Sequence, residues 1–319
     1  MNRASLALLP RAAGGIAVGL VAGALAIAVA GGANPAFGAA RPSWTAAPAT
    51  TSAPAPTPAP APAGALASSA LTYADLVDLA DRASSVVRVQ VRKIVPVEPA
   101  RAPGVRAGWV RIYVEARPLG LLSGPPLPAD SLRYLVDVPL DAKGKPPRLP
   151  RLGKRGLVVF ARTVADRPGE LQLIAPDAQV PWDEALDARL KAVLTELLAP
   201  GAPGRIAGIH EAIFVPGNLA GEGETQLFLA TADGEPASIT VTRQPGKAPR
   251  WSVSFSEVVD SDAAPPARET LAWYRLACFL PAILPPGLNV SATDADRAQA
   301  RVDYRLVRES LGTCPRSRD

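Results

Sequence analysis

The chain has 319 residues, 48% of them apolar and 20% charged, which is enough for one large core or two ordinary ones. Arg (28) far outnumbers Lys (6), the usage that GC-rich codons produce. The formal charge of +5 includes Arg3 and Arg11 of the N-terminal segment, so the balance of the remainder does not by itself imply a polyanionic partner.

Met1–Arg11 carries two Arg and no acid, and Ile16–Ala30 is an unbroken run of Ala, Val, Gly, Leu and Ile. This is the charged n-region and apolar h-region of an export signal. Ala36-Phe37-Gly38 and Gly38-Ala39-Ala40 each place small residues at −3 and −1 of a cleavage point. The alternative is an uncleaved anchor, since Ala12–Gly32 is long enough, as a helix, to span a bilayer of ~30 Å. Residues 1–40 therefore read as a signal peptide or signal anchor. The expected location is the periplasm or cell envelope, with a tether to the inner membrane if the segment is retained. Residues 41–67 are nearly all Ala, Pro, Ser and Thr, with an alternating tract at Ala53–Pro62. Proline removes backbone donors and fixes φ, so this stretch reads as a disordered, extended linker with Trp44 incidental.

Folded structure is expected from Leu71. Thr72 and Asp75 form a capping pattern before a helical stripe of Leu76, Leu79 and Ala80. Three alternating segments then read as strands with one solvated face. Val87, Val89 and Val91 alternate with Arg88, Gln90 and Arg92; Val110, Ile112 and Val114 with Arg111, Tyr113 and Glu115; and Leu132, Tyr134, Val136 and Val138 with Arg133 and Asp137. Leu157–Ala161, continuously apolar, fits a central strand, and Leu171–Ile174 adds a fifth. Five short strands suit a small barrel, of which an OB-type barrel is one form; this defines a β-rich, barrel-like domain over 68–181.

Asp183 and Glu184 are expected in the first turn of a long helix carrying Leu186, Leu190, Val193, Leu194 and Leu197, stopped by Pro200-Gly201. Four strands at Ile206–Val215, Thr225–Ala230, Ala237–Thr242 and Trp251–Val258, joined by tight turns, predict an antiparallel meander. Helices over Ala267–Leu280 and Asp294–Leu311 close the chain, the second capped by Thr293 and Asp296. Residues 182–319 thus read as an α+β domain, and the whole as α+β with mainly antiparallel β. Residues 68–181 hold 17 Lys/Arg against 11 Asp/Glu, and 182–319 hold 14 against 18, so the two parts carry opposite charge.

Chemistry-bearing residues are sparse. Cys278 and Cys314 are the only cysteines, and in an exported chain they are expected to form a disulfide worth roughly 3–4 kcal/mol by chain entropy. They lack C-x-x-C spacing and a neighbouring His, which argues against a redox or metal role. His210 is the sole histidine; Glu211 follows it in a strand and so points to the other face. No G-x-S-x-G elbow supports a triad through it. Lys143, Lys145, Arg148, Arg151, Lys154 and Arg155 form a proline-interrupted basic loop that suits an anionic lipid or polysaccharide surface. Export and the lack of aromatics in the loop argue against nucleic acid. Glu257, Asp260 and Asp262 cluster without the remaining calcium-loop residues, and Gly221-Glu222-Gly223 reads as a turn.

No catalytic residue, cofactor site or metal site is assigned. The leading expectation is a non-enzymatic binding or interaction module of the envelope, with an envelope protein or an anionic lipid or polysaccharide surface as partner. A periplasmic hydrolase relying on carboxylates is the alternative, because paired acids leave no signature until they are folded together.

Overall fold

The computed structural model describes residues 71–127, 130–146, 156–256 and 264–318. The export segment, the linker with Trp44, four cations of the basic loop (Arg148, Arg151, Lys154, Arg155) and the Glu257, Asp260 and Asp262 cluster lie outside the described residues.

Helix α1 (Tyr73–Arg82) begins with the expected reciprocal cap, the Thr72 hydroxyl accepting from Asp75 N and the Asp75 carboxylate from Thr72 N. Strands β1 (Ser85–Pro96), β2 (Trp109–Ser123), β3 (Leu132–Pro139), β4 (Leu157–Thr163) and β5 (Glu170–Leu173) follow. They pair in the order β1-β2-β3-β5-β4, and β4 returns to β1, so the sheet closes into a five-stranded barrel. Every contact is antiparallel except β3 with β5, which is parallel. That ring order is the connectivity of an OB-type barrel. A sixth strand, β6 (Gln179–Pro181), pairs with β4 and was not foreseen; three residues carry too little periodicity to register as a strand.

Alternation fills the barrel. Val87, Val89, Ile112, Val114, Leu132, Val136, Leu157, Val159 and their neighbours form an interior core of apolar residues. Strand β4 is apolar from Leu157 to Ala161 because this part is buried on both faces: Leu157, Val159 and Ala161 enter the barrel, while Val158 and Phe160 join a second core outside it. At the β1/β4 seam Gly156 adopts φ +84°, and a Cβ there would lie 2.5 Å from the Val89 carbonyl oxygen, so the close approach of the strands requires glycine.

Helix α2 (Glu184–Leu197) follows, with Asp183 as its cap and not within its first turn; the carboxylate accepts from Leu186 N. Strands β7 (Ile206–Pro216), β8 (Gly223–Thr231), β9 (Ala237–Arg243) and β10 (Arg250–Ser254) form the expected antiparallel meander. Strand β10 ends at Ser254, short of the expected Val258: the Ser254 hydroxyl accepts from Ser256 N and turns the chain. Helix α3 spans only Leu271–Ala277, shorter than the expected Ala267–Leu280. Glu269 sits in the left-handed region at φ +58° and extended Thr270 caps the helix, so it cannot run further back; Cys278 closes it before Pro281. Helix α4 (Asp294–Leu311) has the expected bounds and capping box.

The second core gathers one face of the meander, all four helices and the β1/β4/β6 wall of the barrel. Most of the buried polar side chains around it are partnered; Ser85 Oγ on β1 is the exception among the described residues. Asp303 of α4, with 0% of its surface exposed, accepts from Thr225 of β8 at 2.5 Å, Arg243 of β9 at 2.6 Å and Gln299 at 3.1 Å, fixing α4 to the sheet. Helix α1 presents three acids at three-residue spacing. Asp81 receives Arg205 and buried Arg275, both at 2.8 Å; Asp78 receives Arg316; Asp75 receives the amide and hydroxyl of Ser317. Burial raises the pKa of Asp75 and Asp81, but these hydrogen bonds and cations outweigh it and hold both below the ordinary carboxylate value. The C-terminal arm continues to Arg318, which pairs with Asp177 in the loop after β5.

Among the described residues no helix is long and apolar enough to cross a membrane.

Candidate functional site

One wall of the barrel packs against the helices, which leaves the outer face of β2, β3 and the C-terminal half of β1 free. Register places its side chains in rows, because directly opposed residues share a face. Val95 faces Tyr113 and Tyr113 faces Leu135, giving an outward apolar row across three strands, with Val95 40% and Leu135 50% exposed. On one side lies the row Lys93, Glu115, Arg133 and Glu170, alternating in charge from β1 to β5. On the other, Arg111 and Asp137 form a two-point ion pair at 2.7 and 2.8 Å. The Arg111 hydrogen bonds hold the Asp137 carboxyl below the usual carboxylate range, outweighing its partial burial.

The apolar row runs into a cleft of about 660 Å³. The cleft exists because β3 and β5 pair over only two positions, Arg133 with Glu170 and Tyr134 with Leu171. Strand β5 then stays with β4, Leu173 opposite Ala161, while β3 runs on to Pro139 beside β2. Leu135 and Tyr113 lie on one side of the gap, Leu173 and Ile174 on the other, and Arg167 and Glu170, 3.3 Å apart, at its closed end.

The basic loop is described only at Lys143 and Lys145. Both are exposed in a turn whose amides donate to the Asp141 carboxylate at 2.8 Å. Cys278 and Cys314 are paired at disulfide distance, their Cα atoms 5.2 Å apart. His210 is exposed on β7 at a register shift between Ile209 and Glu211. Glu222 belongs to the β7–β8 turn, where its carboxylate accepts from the amides of Asn218 and Leu219. No group of three or more His, Cys, Asp or Glu able to hold a metal occurs among the described residues.

The face was legible in part. Strand alternation places Arg111, Tyr113 and Glu115 outward, and Tyr113 is an aromatic residue in an otherwise charged phase. Leu135, between Arg133 and Asp137, interrupts its strand in the same way. An apolar residue in the solvent phase of each of two strands is the signal; that the two are cross-strand neighbours is a matter of register, which a single strand does not reveal. In comparisons with known proteins, the chain matches no family model and no curated protein sequence.

Proposed function

We propose that this chain is an exported, non-enzymatic binding or interaction module of the cell envelope, in the periplasm or tethered to the inner membrane, which engages an envelope partner through the outer face of its barrel. The observation that carries the reading is the row Val95, Tyr113 and Leu135 leading into the β3/β5 cleft: aligned apolar side chains left in water, bordered by charges already paired or alternating in sign. The paired cysteines suit an oxidising compartment, and the basic N-terminal segment suits export. An anionic lipid or polysaccharide surface is the second partner class, through the loop that holds Lys143 and Lys145.

The competing reading, a carboxylate hydrolase, finds Asp137 and Glu170 in one cleft. Asp137 is engaged at two points by Arg111 and kept ionised, which does not suit a proton donor. The deciding experiment compares envelope capture by the parent chain and by a Tyr113→Ala/Leu135→Glu double variant, with circular dichroism as the control for folding. Loss of the captured material in the variant is expected. Equal capture by both chains, or turnover of a substrate that disappears in Asp137→Asn, would overturn the proposal.

A further inference from the structure

We infer that the β3/β5 cleft receives an extended segment of a partner polypeptide, which adds as a strand to the open edge of β3 and lays apolar side chains of alternate residues beside the Val95, Tyr113 and Leu135 row. This deepens the binding-module reading and rests on it.

Main-chain geometry carries the inference. Arg133 N donates to Gly169 O at 2.8 Å, so the Arg133 amide points toward β5, whereas Leu140 N donates to Gly108 O at 2.8 Å, toward the β2 side. Peptide groups alternate along a strand, so Leu135 and Asp137 turn their N–H and C=O groups to the same side as Arg133. The β5 ladder ends at Tyr134, and no other strand pairs with that edge among the described residues. Pro139 ends β3 in the same phase, with its nitrogen toward the cleft. Proline is tolerated on an edge and costs a ladder bond elsewhere. A row of main-chain donors and acceptors inside a cleft is complementary to another main chain, and side-chain pockets at alternate positions then supply selectivity.

Charge points the same way. The row Lys93, Glu115, Arg133 and Glu170 holds two cations and two anions, Arg111 is matched by Asp137, and Arg167 at the closed end shares Glu170, which leaves a single positive charge over. A face so nearly compensated offers little net attraction to an acidic polymer. It is complementary to a neutral, mixed-sequence segment whose polar residues flank an apolar one.

The test uses the folded chain with a pool of octapeptides carrying Val, Ile or Leu at alternate positions. The same pool is N-methylated at alternate amides in each of the two phases, and a neutral hexasaccharide is run beside it. Binding of unmethylated peptides, loss of binding in one methylation phase only, and at least tenfold slower hydrogen exchange at the Asp137 amide are expected. Asp137→Pro removes that amide and should weaken binding at least tenfold; if that variant does not fold, the methylated peptides make the same comparison. Absence of peptide binding, equal binding in both methylation phases, or hexasaccharide binding at this face without peptide binding overturns the inference. If peptides fail while Tyr113→Ala/Leu135→Glu still abolishes envelope capture, strand addition falls and the binding-module reading stands. If the double variant leaves capture unchanged, that reading falls as well.

Discussion

The two sheets of this chain solve the same burial problem in opposite ways. The barrel closes on itself and fills its interior with side chains such as Ile112, Leu132 and Val159, so part of its outer surface needs no covering. The meander stays open, commits one face to the helices, and places a charged network, Asp303 with Arg243, Thr225 and Gln299, inside that contact. Closure frees a surface for binding, whereas an open sheet uses its apolar surface for stability. The apolar row on the barrel is therefore surplus to folding, which is why it stands as the candidate site.

The contrast can be broken first at Asp303. Asp303→Ala leaves buried donors without an acceptor and should destabilise the chain by about 3–5 kcal/mol, read from urea midpoints. Replacing the network together, as Asp303→Leu, Arg243→Met and Thr225→Val, should recover most of that loss, because the one group of the network left without its partner is the amide of half-buried Gln299. Failure to recover would mean that the network specifies the packing of α4 and does not merely satisfy itself. Next in size, Cys278→Ala/Cys314→Ala should cost about 2–4 kcal/mol by the same measurement, since the pair spans 36 positions of sequence.

Acid should act more gradually. Asp75, Asp81 and Asp137 are all held below the ordinary carboxylate value of about 3.9. Below that value the unfolded chain binds more protons than the folded one. Their contribution is thus complete above about pH 5 and is lost as pH falls through the folded-state values. Urea midpoints between pH 7 and pH 3 should fall in the parent chain, and fall less steeply in Asp81→Asn. The smallest stability effect belongs to the free face: Leu135→Glu should change stability by no more than about 0.5 kcal/mol while removing envelope capture. A large loss of stability there would make the row part of the fold and not a site.

The strands that alternate cleanly were readable from sequence alone, because one face of each meets water and the other a core; β4 was readable for the opposite reason, being apolar on both. Ring order was not readable, since it depends on which edges meet, and no residue in β3 announces that its neighbour beyond β2 is β5. The capping boxes of α1 and α4 were explicit, as was the separation that allows Cys278 and Cys314 to pair. The shortened α3 was hidden because Glu269 is an unexpected occupant of a left-handed conformation. Nothing in the sequence marks Asp78 and Asp81 as paired; their partners Arg316, Arg205 and Arg275 lie far along the chain, and charge pairing over such distances leaves no local pattern.

That last arrangement has a consequence for the order in which the molecule is made. Ser317 and Asp75 are hydrogen-bonded across 242 positions of sequence, so the first described helix is completed by the last described segment. As the polypeptide emerges from its N-terminus, Asp81 of α1 waits for Arg205 and Arg275, and Asp78 and Asp75 wait longer still for Arg316 and Ser317; contacts of such separation form late and slowly. Translation stopped just after Cys314 would yield a chain able to form its disulfide but without Arg316 and Ser317, the partners of Asp78 and Asp75.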